Sequence, residues 1–129
     1  MSGIPVPGKI RLRDKGKLLQ LDYLDGFSYE LSAEYLRVES PSAEVKGHAG
    51  QGGELPYGKE EVKIKGIERM GNYALQFIFD DGHDSGIYSW DYLYTLAATE
   101  QQLWQRYLKQ LEAAGASREP DIQVLTFTP

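Results

Sequence analysis

The sequence predicts an α+β fold: an antiparallel sheet of about five to six strands, a short helix after the third strand, and C-terminal helices packed on the sheet. Three observations predict this class. Apolar residues alternate with polar ones early in the chain, as at Leu19, Leu21 and Tyr23, which is typical of strands. The run Tyr73–Phe79 is apolar on both faces, as in a central strand. After Trp90 the apolar residues recur with a helical period.

Composition predicts one domain. A chain of 129 residues divided in two would give units too small to bury enough surface against chain entropy. The Pro- and Gly-containing residues 1–8 are interpreted as a flexible lead-in, residues 9–115 as the domain, and residues 116–129 as a tail. Ile122, Val124, Leu125 and Phe127 leave the tail either docked or disordered.

Charge and cysteine content exclude several functions. The net charge of −5 and the pI near 5.0 argue against a nucleic-acid binder, whose affinity depends on Lys and Arg contacts to phosphates. Without cysteine there is no disulfide, thiolate nucleophile or cysteine metal ligand. No signal peptide or membrane span is recognisable, so we expect a cytoplasmic protein that does not bind membranes.

The first half is predicted to begin with three successive antiparallel strands: Lys9–Arg13, Leu19–Tyr23 and Phe27–Leu31. The turn signals Asp14–Lys17 and Asp25–Gly26 separate them, and Asp-Gly tolerates positive φ.

A short helix follows the third strand. Ser32 is the predicted N-cap, and the helix is expected to run through Arg37. Its predicted core residues are Leu31, Tyr35 and Leu36. The glycine- and proline-rich stretch Val38–Gly58 is then interpreted as a long exposed loop, a kind of segment that is either functional or disordered.

In the second half, Val62–Ile67 is a predicted strand and Tyr73–Phe79 the central one, closed by a turn at Asp81-Gly82. Ser89 is the expected cap of a helix over Trp90–Ala97. Thr99 to Gln102 has capping-box spacing, and the helix it would start ends before Gly115. That helix has one apolar stripe: Leu103, Trp104, Tyr107, Leu108 and Leu111.

The densest group of side chains that could bind a metal or transfer a proton is Asp80, Asp81, His83 and Asp84. Turn chemistry explains the Asp and Gly residues, and one imidazole is too few for a transition-metal site without partners elsewhere. The only other histidine is His48. A small enzyme or metal-binding protein centred on His83 stays open as an alternative.

Two segments carry a family resemblance: Tyr35–Val45 and Gly82–Leu93. Together with the Asp25-Gly26 turn they make Lys9–Ala98 resemble the gamma-butyrobetaine hydroxylase-like N-terminal domain, also called domain of unknown function 971. That domain occurs alone, before the catalytic domain of gamma-butyrobetaine and trimethyllysine dioxygenases, or fused to iron–sulfur carrier proteins. The resemblance implies no hydroxylase activity here, because the catalytic domain is not in this sequence.

The hydroxylases of this family bind a structural zinc through three cysteines and a histidine. By the resemblance, those positions fall at Ser40, Ser42, Val45 and His83. Because hydroxyls and a valine cannot replace thiolates, we expect a degenerate site, with no zinc and no other cofactor. A carboxylate site of His83 with Glu39 or Glu44, and His48, is the alternative.

The function that follows is a non-enzymatic accessory or protein-interaction module with an unidentified protein partner. The expected interaction surface combines the Val38–Gly58 loop with the turn from His83 to Trp90, and its expected residues are His48, Asp81, His83 and Asp84. The family's fusions suggest an alternative, an accessory role in iron–sulfur protein assembly through a partner. The sequence leaves the oligomeric state open.

Overall fold

The computed structural model describes residues 4–48 and 51–120. Its strands are β1 (Pro7–Arg13), β2 (Leu18–Tyr23), β3 (Ser28–Ser32), β4 (Gly47–His48), β5 (Gln51–Gly52), β6 (Ile64–Met70), β7 (Ala74–Phe79) and β8 (Ile87–Ser89). Its helices are α1 (Ala33–Val38), α2 (Ala43–Lys46), α3 (Trp90–Ala98) and α4 (Glu100–Ala114). The α+β class is therefore confirmed. No helix among the described residues is long and apolar enough to cross a membrane.

The strands form two three-stranded antiparallel sheets, in the orders β1-β2-β3 and β6-β7-β8, and a separate two-stranded pair of β4 with β5. The expectation of one sheet is corrected in this respect. Strand β7 is central to the second sheet, as its two apolar faces predicted. Strand β1 begins at Pro7, two residues earlier than expected.

The two sheets and α3 enclose one apolar core. Its largest fully buried side chains include Leu19 and Leu31 from the first sheet, Phe77 and Phe79 from β7, and Leu93 from α3. Helix α4 extends this core through Trp104 and forms a smaller apolar cluster in which Tyr107 and Leu111 contact Val38.

Three helix boundaries follow the sequence signals. The Ser32 hydroxyl accepts a hydrogen bond from the Tyr35 backbone N–H at 3.0 Å, and Ser89 caps α3 through Tyr92 in the same way at 3.1 Å. Gly115 ends α4 in the left-handed conformation, φ 65°, as glycine commonly does.

The predicted capping box at Thr99 is wrong. Helix α3 runs to Ala98, and Thr99 donates its hydroxyl to the Thr95 carbonyl at 2.6 Å, so Thr99 closes the preceding helix. It makes no side-chain hydrogen bond to cap α4.

The interpretation of Val38–Gly58 as an exposed loop is also wrong for its first part. Val38, Glu39, Ser40 and Ser42 are buried, and α2, β4 and β5 follow them. The predicted tail residues Ile122, Val124, Leu125 and Phe127 lie outside the described residues.

Candidate functional site

The segment that leaves α1 is held by two tyrosines. Tyr88 of β8 donates its hydroxyl to the Leu36 carbonyl, and Tyr92 of α3 donates its hydroxyl to the Glu39 carbonyl. Carbonyls at a helix C-terminus have no partner within the helix, so these bonds satisfy them and fix the path of the chain. This fixed path brings Ser40 and Ser42 to the turn that contains His83.

Four side chains meet at that turn, and we call them the serine–histidine cluster: Ser40, Ser42, Glu44 and His83. The Ser40 hydroxyl lies 2.9 Å from Nε2 of His83, and the Ser42 hydroxyl lies 3.4 Å from it. On the other side of the ring, Nδ1 lies 3.1 Å from the Glu44 carboxylate. The structure thus brings together three of the four positions that the resemblance implies.

One neutral tautomer of His83 satisfies the cluster. Nδ1–H donates to Glu44 while Nε2 accepts the Ser40 hydroxyl proton, and Ser40 Oγ accepts the Ser42 backbone N–H at 3.3 Å. Burial, helped by the charge of Arg37, lowers the pKa of His83 below its ordinary value, although Glu44 opposes the shift. The imidazole is therefore held in its uncharged form.

Ser40, His83 and Glu44 stand in the order of a nucleophile, a general base and an orienting acid. Ser40, however, is fully buried. Gly86 lies directly over it, so that a methyl group on Gly86 would come within 2.4 Å of Ser40 Oγ. A substrate has no path to the hydroxyl in this arrangement, and the geometry fits a structural hydrogen-bond cluster.

The donor set of the cluster does not fit zinc. The groups on the Nε2 side of His83 are two neutral hydroxyls, whereas zinc sites use thiolates, imidazoles and carboxylates. Glu44 is on the Nδ1 side, and Val45 offers no donor. Within residues 4–48 and 51–120, no group of three or more His, Cys, Asp or Glu side chains is arranged to hold a metal ion.

Beside the cluster, Asp81 binds two cations, and we call Arg37, Lys59 and Asp81 the ion triad. Oδ2 of Asp81 accepts from Arg37 Nε at 2.8 Å and from Lys59 Nζ at 2.7 Å, and Oδ1 accepts the His83 backbone N–H at 3.0 Å. Burial alone would raise the pKa of Asp81, but the hydrogen bonds from Lys59, His83 and Arg37 lower it. Asp81 is therefore a carboxylate that joins α1, the segment before β6 and the turn.

Glu39, Asp80 and Asp84 do not join the cluster. Glu39 is buried and pairs with Lys46 at 2.9 Å, away from His83. Asp80 accepts the Lys63 backbone N–H at 3.0 Å, and Asp84 is exposed. The backbone of His48 lies in β4, paired with Gln51.

Sequence reasoning missed the roles of Arg37, Lys59 and Gly86. Arg37 had a usable signal, because a basic residue in the last turn of a short helix interacts favourably with the helix C-terminus. No local pattern indicates that Gly86 packs on Ser40, 46 positions earlier in the chain. Only the folded chain shows that contact.

The fold and the site define a small α+β domain with a buried hydrogen-bond cluster under a charged surface. The family model described as "Gamma-butyrobetaine hydroxylase-like, N-terminal" matches residues 10–94, and the chain belongs to this family. No curated protein is significantly similar to the chain.

Solved structures support the same membership. One solution NMR structure is 50% identical, with a TM-score of 0.80, and the match covers 98% of this chain and 100% of the other. A second NMR structure is 44% identical, with a TM-score of 0.77 and coverages of 99% and 97%. A crystal structure from Acidithiobacillus ferrooxidans, described as a protein of unknown function in the DUF971 family, is 35% identical, with a TM-score of 0.58 and coverages of 74% and 93%.

Proposed function

We propose that the chain is a non-enzymatic, cytoplasmic protein-interaction module. Its binding surface joins the segment after α1 with the turn before β8. One observation carries the proposal: the two segments are joined into one continuous surface by the ion pairs of Asp81 with Arg37 and Lys59 and by the hydrogen bond from His83 Nδ1 to Glu44. Surface loops fixed on a rigid scaffold are where binding residues concentrate.

The burial of the cluster supports a non-enzymatic role. The one histidine whose side chain is described is 4% exposed, and the serine beside it is covered by Gly86. Tyr57 on the same surface is 54% exposed, and tyrosine is enriched at protein interfaces. We also propose that the domain folds without zinc, since the hydroxyls of Ser40 and Ser42 are paired with His83.

Site-specific crosslinking tests the proposed surface. Tyr57, 54% exposed, lies on the surface, whereas Tyr73, 60% exposed, lies at the opposite end of β7 from Asp81. Each tyrosine is replaced in turn by a photoreactive phenylalanine analogue in the producing cell. We expect a discrete crosslinked species from position 57 that position 73 does not give.

If both positions give the same products, or if position 57 gives none, the proposed surface is wrong. The two alternatives, an accessory role in iron–sulfur assembly and a metal site or enzyme centred on His83, stay predictions. No specific contact among the described residues favours either of them.

A further inference from the structure

A groove runs along the proposed surface between α2 and the segment before β6. Its volume is about 510 Å³, within the range of small-ligand pockets. Its lining residues are Arg37, Glu44, Val45, Glu54, Leu55, Pro56, Tyr57, Gly58 and Lys59. The groove therefore joins the ion triad to an apolar wall and an exposed aromatic ring.

Within the ion triad two cations share one carboxylate, while Glu44 and Glu54 line another part of the groove. Arg37 and Lys59 share one oxygen of Asp81, at 2.8 and 2.7 Å, so the triad carries one positive charge in excess. The three side chains are only 12%, 23% and 19% exposed, which weakens solvent screening of that charge.

Arg37 also has a spare donor. Its Nη1 is buried and has no acceptor among the residues that the structure describes. Leaving a buried donor without an acceptor is unfavourable, because the group has lost its hydrogen bonds to water. An acceptor that entered the groove beside Arg37, with a small shift of the side chain, would recover part of that free energy.

The rest of the lining limits what such an acceptor can be. Val45, Leu55 and Pro56 present apolar surface, which suits apolar neighbours of the acceptor. Glu44 and Glu54 lie at the exposed edge and would repel a second negative charge. A highly acidic ligand is therefore disfavoured, and one carboxylate between apolar groups fits.

We propose that the groove binds a peptide segment of a partner protein that carries one acidic side chain between apolar residues. The acidic side chain pairs with Lys59 and Arg37, and its apolar neighbours pack on Leu55, Pro56 and Tyr57. The proposal rests on the proposed interaction function and specifies the chemistry of the partner. A carboxylate is the acceptor that arginine and lysine bind most strongly among protein groups.

NMR titration of the full chain tests this chemistry. The probe is N-acetyl-Leu-Asp-Leu-amide, and its isosteric control is N-acetyl-Leu-Asn-Leu-amide. We expect the aspartate probe to shift the backbone signals of residues 54–59. It should bind at least about tenfold more tightly than the asparagine probe, because hydrogen bonds to a charged acceptor are stronger than those to a neutral one.

Matched variants locate the binding. Lys59→Gln should lower the affinity for the aspartate probe about tenfold, and Lys59→Arg should retain that affinity. Lys109→Gln removes the same charge from an exposed position on α4 and should leave the affinity unchanged. The spectrum of each variant also reports whether the fold is intact.

Equal affinity for the two probes, unmoved signals at residues 54–59, or an effect of Lys109→Gln as large as that of Lys59→Gln would each overturn the inference. The crosslinking experiment at position 57 is independent of the probes. Crosslinks without carboxylate-dependent binding overturn only the acidic-peptide inference. Probe binding without crosslinks overturns the proposed function.

Discussion

Replacing Gly86 with alanine tests whether the serine–histidine cluster is a close-packed unit. The added Cβ would lie 2.4 Å from Ser40 Oγ and 3.2 Å from Pro41 Cδ and Tyr88 Cε1. The φ angle of Gly86 is not in the left-handed region, so alanine introduces no backbone strain. Apart from the entropy that alanine removes from the unfolded chain, the effect comes from the contacts of one methyl group.

The magnitude follows from what must move. Ser40 can avoid the methyl group only by turning its hydroxyl away from His83, which gives up the 2.9 Å hydrogen bond. Losing a buried hydrogen bond costs about 1–3 kcal/mol, and overpacking a tight interior costs a similar amount. We expect Gly86→Ala to lower the free energy of unfolding by about 2–4 kcal/mol.

Urea denaturation followed by tryptophan fluorescence measures this change, with a constant m-value confirming that the transition itself is unaltered. Gly66→Ala is the matched control. A Cβ there meets only the Ile78 side chain, at 3.5 Å, and should change stability by less than about 1 kcal/mol.

A double-mutant cycle identifies the clashing atom. In a Ser40→Ala background the hydroxyl and its hydrogen bond are already absent, so Gly86→Ala should cost at least about 1 kcal/mol less than in the parent. If the two effects simply add, Ser40 Oγ is not what Gly86 accommodates. The packing argument would then be wrong.

Three further predictions concern stability. Trp90→Ala should lower the free energy of unfolding, measured by urea denaturation, by about 3–5 kcal/mol, because Trp90 is 8% exposed and its Nε1 donates to the Asn72 carbonyl at 2.7 Å. The control Tyr73→Ala, at a 60% exposed position, should lower it by less than about 1 kcal/mol. An effect of Trp90→Ala below that value would contradict the place of Trp90 in the core. The pKa of His83 is lowered from 6.5 in the folded chain, so the unfolded chain binds the proton first as the pH falls. The free energy of unfolding should therefore drop below about pH 6.5, by at most about 1.4 kcal/mol per pH unit. An equal drop in His83→Gln would show that His83 is not the group that causes it. EDTA should leave the thermal midpoint unchanged, whereas a fall of several degrees that added zinc reverses would show a metal-dependent fold.

Local chemistry was enough to predict three helix ends and the central strand, but not the start of α4. Ser32 and Ser89 cap helices through bonds to residues three positions away, and the apolar run at β7 reflects burial on both faces. Long-range pairing was not predictable in the same way. Alternating apolar residues define a strand but carry no information on whether its neighbours form one sheet or two.

The burial of the polar residues after α1 was not predictable either, because it also depends on contacts between residues far apart in the chain. Glu39 and Ser40 resemble ordinary loop residues, because polar side chains are mostly exposed. They are buried because Tyr92 bonds the Glu39 carbonyl, 53 positions away, and His83 bonds Ser40, 43 positions away. The family resemblance predicted that Ser40, Ser42 and His83 lie close together, because residues that bind one metal ion in relatives must be neighbours in space. Composition alone carries no such information.

The turn at His83 links the stability of the domain to its proposed surface. His83 bonds the cluster through its ring and Asp81 through its backbone N–H, while Asp81 positions the two cations of the groove. Displacing the His83 ring would therefore move Asp81 and the two cations that it positions, and it would also disrupt the buried cluster. Neutral hydroxyls around a neutral imidazole hold this junction together without a buried net charge, whose desolvation would cost several kcal/mol. The unbalanced charge instead lies in the ion triad, where a partner can reach it.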